Sequence, residues 1–379
     1  MNVLHVVNIS FVIPFFLGEQ LNWFADKGYR EHIICSDSNE LKTFSRQYGF
    51  KYKAVEILRK ISLIKDLKAV CLTYTYIRNI QTDVVCGHTP KGGLIAMLAA
   101  YLARVSIRLY FRHGLVYETS TGFKRWLLIS IDRLASRLAT KIICVSPSVA
   151  NRSIEDRLNP GHKQVLLANG TCNGIDVKRF CRSNLNSTDL KELRRQLGID
   201  DGDFVIGFTG RLVRDKGIIE LVQAYNELRP HHPNMRLLLV GMLETRDALP
   251  PDIVKAIQES NIICTGYVHN TIIEQYYALM EVLVLPSYRE GFPTSVLEAS
   301  SMEIPIVTTR ATGCRDSIVE GVTGLFVEHD AHELGQVVLR LYKDASLRKN
   351  LGKAGREFVV KHFEQHLVWE DIEKLYNSK

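Results

Sequence analysis

The sequence contains no C-x-x-C pair and no zinc-ligand spacing, although it has eight cysteines: Cys35, Cys71, Cys86, Cys144, Cys172, Cys181, Cys264 and Cys314. Several lie in apolar runs such as Ile142-Ile143-Cys144-Val145, which casts them as small buried hydrophobes in a reducing compartment. No uninterrupted apolar run is long enough to span a bilayer. The longest candidate, 92–110, carries Arg104 and Arg108 and reads as a buried helix followed by a strand. The amino terminus, Met1-Asn2-Val3-Leu4-His5-Val6-Val7, opens as a strand, without the basic region and cleavage site of a secretory leader. The segment after it, Asn8-Ile9-Ser10-Phe11, lacks a Gly-x-Gly-x-x-Gly turn, which argues against a dinucleotide-dependent oxidoreductase. Low-complexity tracts and internal repeats are also missing.

What is present is an unequal charge. The net charge is +7, but residues 1–180 carry 25 Lys and Arg against 13 Asp and Glu. The remainder carries 23 against 28, and the segment 51–150 alone has 16 basic and 5 acidic residues. A one-sided basic field draws polyanions or anionic lipid, and the expected partner is an anionic membrane surface rather than nucleic acid. A well-solvated basic surface accounts for the same charge pattern. A cytoplasmic chain held peripherally at the inner face of the cell membrane fits both readings of the termini and charge.

With 379 residues the chain is long enough for two domains. Short apolar runs alternate with helical patterns, the signature of parallel sheets wrapped by helices. Strands are expected at 3–7, 32–35, 84–86, 107–111, 141–145 and 165–167, with helices near 19–27 and 93–103. The series pauses at Asn169-Gly170-Thr171-Cys172-Asn173-Gly174 and resumes with strands at 204–209, 236–240, 262–265, 282–286, 306–308 and 324–327. The expected architecture is α/β: two Rossmann-like domains, 1–182 and 183–362, facing across a cleft, with ligands at the carboxyl ends of the strands. A helix over 363–379, carrying Trp369, is expected to pack back toward the first domain.

Two segments carry chemistry. Arg289-Glu290-Gly291-Phe292-Pro293-Thr294-Ser295-Val296-Leu297-Glu298 follows an apolar strand and turns into a helix near Thr294. The free N–H groups of Thr294, Ser295 and Val296 at such a start favour an anion, for instance a diphosphate. Glu290 and Glu298 frame the turn and suit sugar hydroxyls; a dipole-facing carboxylate and a loop charge explain them equally well when taken alone. Thr209-Gly210-Arg211-Leu212-Val213-Arg214-Asp215-Lys216-Gly217 follows another strand. Gly210 permits close approach to the backbone, and Arg211 and Lys216 offer two cations to a diphosphate. A solvated basic turn has the same composition.

In both segments the sequence resembles the GT-B glycosyltransferases of retaining family 4. That family carries a Gly-Arg-x-x-x-x-Lys-Gly segment and two glutamates separated by seven residues. Gly170-x-x-Asn173-Gly174-Ile175-Asp176 with Phe180, His88-Thr89-Pro90-Lys91-Gly92-Gly93 and His113-Gly114-Leu115 extend the likeness over nearly the whole chain. The resemblance implies a GT-B fold and transfer from a nucleoside-diphosphate sugar, a UDP-sugar, with retention. It puts Glu290 on donor-sugar hydroxyls, Glu298 on the ribose, Arg211 and Lys216 on the diphosphate, and His113 over the anomeric centre. The two cations would do the work of a divalent metal, so no Asp-x-Asp motif is expected, and neither metal nor cofactor. Many relatives have a Gly-Gly pair in the first loop; here only Gly18 remains, and a donor contact by Gly18 is the open point of the likeness.

For the acceptor, the resemblance points to a saccharide on a polyprenyl diphosphate, used in capsule or O-antigen assembly. His88, Lys91, Lys124 and Arg125 are the acceptor-side candidates. Lys124 and Arg125 open a basic amphipathic segment, 122–138, with Trp126 and Arg133; Arg59, Lys60, Lys65 and Lys68 add charge. A core-packing helix with a solvated basic face shares this pattern. Rival functions are a GT-B nucleotide-sugar 2-epimerase, which the two glutamates argue against, and a non-catalytic nucleotide-sugar-binding protein.

Overall fold

Each apolar run in the first half pairs with another in parallel, because strands buried on both faces need hydrophobic side chains on both. The computed structural model describes residues 1–58, 62–245, 247–259 and 261–378; Arg59 and Lys60 lie outside them. The chain divides into two units, 1–174 with 365–379, and 175–364.

The first unit holds β1 (Asn2–Val6), β2 (Arg30–Cys35), β3 (Lys51–Ala54), β4 (Val84–His88), β5 (Ile107–Arg112), β6 (Lys141–Cys144) and β7 (Gln164–Val165). They form one parallel seven-stranded sheet in the order β3-β2-β1-β4-β5-β6-β7. Strand β3 is an addition to the sequence expectation. Its residues Lys51-Tyr52-Lys53-Ala54 are all exposed, so this edge strand lacks the apolar signal of the inner ones. The first loop, which ends at Gly18, is not irregular throughout: it folds into a 3₁₀ turn, Ser10–Val12, and a short helix, Ile13–Phe16. Ile13, Leu17 and Leu21 pack there against Val7, Ile33 and Phe50.

The helix Gln365–Tyr376 belongs to this first unit. Val368, Ile372 and Tyr376 recur every fourth residue and are buried with Trp369. The Trp369 indole donates to the Asn173 carbonyl at 2.9 Å, and the Tyr376 ring packs on Phe24 at 5.0 Å. Burying side chains of this size is worth about 1.5–3 kcal/mol each.

The second unit holds β8 (Phe204–Thr209), β9 (Met235–Val240), β10 (Ile263–Gly266), β11 (Val282–Leu285), β12 (Ile306–Thr309) and β13 (Gly324–Val327). They make a parallel six-stranded sheet in the order β10-β9-β8-β11-β12-β13. Its first residues lie upstream of the 183 boundary expected from sequence. Ile175 bridges Glu364, and Arg179 bonds the Glu274 carboxylate at 2.6 Å, so 175–182 packs with the second sheet. In both sheets strand order reverses beside the first strand, at β1/β4 and at β8/β11. Crevices at such reversals, beyond the carboxyl ends of the strands, are where ligands bind in this kind of sheet.

Of the eight cysteines, all free, Cys35, Cys86, Cys144, Cys172 and Cys314 are buried, as small hydrophobes would be. Cys71 and Cys264 are exposed, against the expectation from their neighbours.

Candidate active site

The second unit places its charged residues at the β8/β11 reversal. The chain leaves β8 through Gly210 and a 3₁₀ turn, Arg214–Lys216. Gly217 ends that turn at φ +71°, and a Cβ there would lie 2.1 Å from the Pro286 carbonyl oxygen. Only glycine lets the loops after β8 and β11 approach this closely. The result is an ion pair between Lys216 Nζ and Glu290 Oε1, both largely shielded from solvent. Ser287 donates to the same Glu290 oxygen at 2.9 Å. The Glu290 N–H donates to the Thr312 carbonyl at 2.9 Å, so the backbone of this loop is fixed as well as its carboxylate. Gly313, at φ +80°, allows that contact, since a Cβ would come within 2.7 Å of the Glu290 carbonyl oxygen.

The helix Thr294–Ser301 begins just beyond, and no side chain caps its amino end. Its first turn, Thr294, Ser295 and Val296, therefore presents backbone N–H groups to an anion. One turn on, Glu298 accepts a hydrogen bond from the buried Tyr277 hydroxyl at 2.7 Å. Burial pushes the Glu298 carboxyl up to about 7, against the opposing pull of Tyr277 and Arg179. Arg211 is half-exposed and pairs with Glu244 at 3.1 Å. The chain does carry one Asp-x-Asp, Asp201-Gly202-Asp203, before β8 begins. Asp203 is held there by Arg236 at 3.0 Å, at the edge opposite the site.

In the first unit the β1/β4 reversal carries histidines instead of ion pairs. His88 ends β4, and its ring is fully buried. It hydrogen-bonds His113 at 3.0 Å on one side and His5 at 3.0 Å on the other. His113 follows β5 and is partly exposed; Phe16 stacks on its ring at 3.7 Å, nearly parallel at 6°. Desolvation pushes the His113 imidazole down to about 3, so the ring is neutral. Thr89, next to His88, holds a φ of +65°, a costly conformation for a β-branched residue, while its hydroxyl caps the helix Pro90–Leu102. A cavity lined by Met1, Arg78, Asp83, Arg104 and Asn377 lies at the amino ends of β1, β4 and β5, away from these groups.

Residues 189–358 match the family described as Glycosyl transferases group 1, and residues 3–146 match Glycosyl transferase 4-like. The capsular polysaccharide biosynthesis glycosyltransferase CapM of Staphylococcus aureus is 34% identical over 378 residues, covering 99% of this chain and 97% of that one. The chain belongs to the group 1 glycosyltransferases.

A second relative is the Escherichia coli UDP-Gal:alpha-D-GlcNAc-diphosphoundecaprenol alpha-1,3-galactosyltransferase, 25% identical over 91% of this chain and 88% of its own. The crystal structure of Anabaena Alr3699/HepE in complex with UDP and glucose superposes with a TM-score of 0.82 at 18% identity, covering all of both chains. That likeness is one of fold, and the fold is GT-B.

Within this glycosyltransferase the structure joins some of the sequence candidates and separates others. Lys216 meets Glu290, and His88 meets His113. Buried as it is, His88 offers an acceptor no surface and acts only through its neighbours. Lys91 pairs with Asp66 at 2.7 Å. Arg125 turns back over the Tyr117 ring and toward Asp156, and Arg133 donates to the Asp156 and Arg157 carbonyls, so Lys124 is the outward cation of that helix start. Gly18 is buried at φ +46°, where a Cβ would meet the Pro14 carbonyl oxygen at 2.6 Å; its turn alone requires glycine. Ser287, Tyr277, Glu244, Phe16, His5 and Glu31 were not anticipated. His5, inside the apolar run of β1, was the available signal; Glu31, between Arg30 and His32, does not stand out in β2.

Proposed function

We propose that this glycosyltransferase moves a sugar from a UDP-sugar to a polyprenyl-diphosphate-linked saccharide, with retention of anomeric configuration and without a metal, in the assembly of a capsule or similar surface polysaccharide. The observation that carries the reading is the Lys216–Glu290–Ser287 clasp beside an uncapped helix start at the β8/β11 reversal. It pairs a cation suited to phosphate with a carboxylate suited to sugar hydroxyls, on backbone that cannot shift. Arg211 and Lys216 neutralise the leaving diphosphate, Glu290 holds the transferred sugar, and Glu298 takes the ribose. His113 lies by the anomeric centre of the transferred sugar. Glu290 is the one carboxylate that the reading offers as a nucleophile, and its bond to Lys216 favours a binding role instead. A front-face displacement, in which the leaving diphosphate takes the acceptor proton, follows from that assignment. The choice of pathway and carrier rests on the names of the CapM and galactosyltransferase relatives.

Contact with the membrane is part of the same proposal. Leu63, Ile64 and Leu67 are 82%, 86% and 65% exposed at the start of the helix Leu63–Ile80. Phe123 and Trp126 are exposed at the start of the helix Gly122–Leu138, beside Lys124. Large apolar side chains with a cation at helix starts suit a lipid interface. No helix among the described residues is long and apolar enough to cross a membrane.

The test is nucleotide release from UDP-, GDP- and dTDP-sugars, with and without lipid-linked acceptors. Acceptor-dependent release of UDP that survives EDTA supports the proposal. A 2-epimerised nucleotide sugar formed without acceptor favours the epimerase, and binding with no turnover of any donor favours a non-catalytic module.

A further inference from the structure

Four side chains of the first unit form one hydrogen-bonded line across four neighbouring strands. Glu31 stands on β2, His5 on β1, His88 on β4, and His113 just past β5. The strand registers set this line. Val3 lies opposite Glu31, and His5 is two residues further along β1. Cys86 lies opposite His5, and His88 is two residues further along β4. Phe111 lies opposite His88, and His113 is two residues further again. Side chains alternate faces with a period of two, so every step stays on one face while climbing diagonally toward the carboxyl edge. An imidazole, with a nitrogen on each side of the ring, spans such a diagonal. The contacts are 3.1 Å from Glu31 to His5, then 3.0 Å and 3.0 Å to His88 and His113.

Donor and acceptor counting gives the line a direction. A carboxylate only accepts, and a neutral imidazole has one N–H and one lone pair. With all three rings neutral, Glu31 accepts a hydrogen bond from the Nε2–H of His5, whose Nδ1 accepts from the Nε2–H of His88. His88 Nδ1 in turn accepts from His113 Nε2. The line ends at His113 Nδ1, a lone pair without a protein partner among the described residues. Desolvation, with the neighbouring rings adding to it, holds His88 well below the usual histidine range, so the neutral count applies there too. Glu31 Oε1 is buried with no partner among the described residues, an expense that packing alone does not require. Phe16, stacked on His113, fixes the plane of the ring.

We infer that Glu31, His5 and His88 are positioning residues that lock His113 as the Nε2–H tautomer, so that its Nδ1 accepts a hydrogen bond from a hydroxyl of the sugar substrate. The inference rests on the sugar-side role proposed for His113. A carboxylate that orients a histidine through hydrogen bonds governs which nitrogen faces the substrate, and loss of the charge alone is costly where the tautomer matters.

The experiment uses the full chain with ¹⁵N-labelled histidine. Imidazole ¹⁵N shifts, assigned with His113→Asn, should show a protonated Nε2 and an unprotonated Nδ1 at His113. Glu31→Gln, whose amide both donates and accepts, should let the Nδ1–H form of His113 appear and lower kcat about tenfold, with KM for the donor unchanged. His5→Leu severs the line by other means and should give the same pair of effects; thermal melts report whether either variant is folded. A protonated Nδ1 at His113 in the unsubstituted protein overturns the inference. So does an unchanged tautomer with unchanged kcat in folded Glu31→Gln or His5→Leu. The tautomer is read without turnover, so failure of every donor assay would strike the proposed function and leave this result standing on its own.

Discussion

The two units use the same parallel sheet and the same reversal of strand order, yet they equip the reversal differently. In the second unit the working groups are charged and sit in loops, where Lys216, Glu290 and Arg211 each find an opposite charge. In the first unit the groups are three imidazoles and the Glu31 carboxylate, and all but His113 are rooted inside strands. Loops can carry a charge because solvent and loop backbone share its cost. A polar or charged side chain in a strand buried on both faces must instead find its partners inside the protein, as Arg112 does in Asp132 and Glu31 in His5. Under the proposed function the two units divide the labour: the loop charges of one counter a leaving diphosphate, and the histidines of the other hold a sugar hydroxyl in a fixed orientation.

The strongest way to break this comparison is to remove a loop charge. Lys216→Ala should lower turnover by roughly a hundredfold or more, the scale for losing one transition-state electrostatic contact, and Arg211→Ala should act in the same direction. EDTA should change little; strong inhibition rescued by Mg²⁺ would end the metal-free account. Next in size is the separation of the two glutamates. Glu290→Gln should cut kcat while leaving UDP affinity nearly intact, whereas Glu298→Gln should weaken UDP binding itself, about tenfold by calorimetry.

A subtler effect sharpens the role of Glu298. Its carboxyl is raised to about 7, mainly by burial. Ribose hydroxyls donate to the ionised form, so bound nucleotide favours deprotonation. UDP affinity should therefore rise as pH increases through about 7. Subtracting the same titration of Glu298→Gln removes the contribution of the nucleotide's own phosphate, and a wild-type curve identical to the variant's would deny Glu298 the ribose.

The smallest effect concerns the surface of the first unit. Lys124→Glu with Trp126→Ala should reduce co-sedimentation with anionic vesicles a fewfold, and salt should reduce that of the unchanged protein. Binding that ignores both salt and lipid charge would remove the electrostatic part of the membrane proposal.

What was legible in the sequence follows the same divide. Inner strands such as β8 and β11 announce themselves by unbroken apolar runs, and the residues after them fall in Gly- and Pro-rich turns whose charges stand out. Edge strand β3, Lys51–Ala54, has no apolar run and was missed. Tyr277 and Glu244 were missed because their partners are distant in sequence: Glu298 lies beyond a strand from Tyr277, and Arg211 beyond a helix and a strand from Glu244. Ser287 is only three residues from Glu290, but nothing local marks its hydroxyl as the one that turns to the carboxylate. The histidine line depends on register across four strands, which no local pattern reveals. His5 interrupts the apolar run of β1, and Glu31 is one of three polar residues, Arg30-Glu31-His32, that open β2. The domain boundary shifted for a related reason: 175–182 looks like a linker, but Arg179 and Phe180 are committed to the second unit by contacts with Glu274 and Tyr277.

The most direct measurement is the product itself, made by purified protein from a UDP-sugar and an undecaprenyl-diphosphate-linked saccharide, with its new linkage read by NMR. The account predicts acceptor-dependent UDP release in the presence of EDTA and an anomeric configuration unchanged from the donor. An inverted anomeric centre, or conversion of the donor without any acceptor, would contradict it.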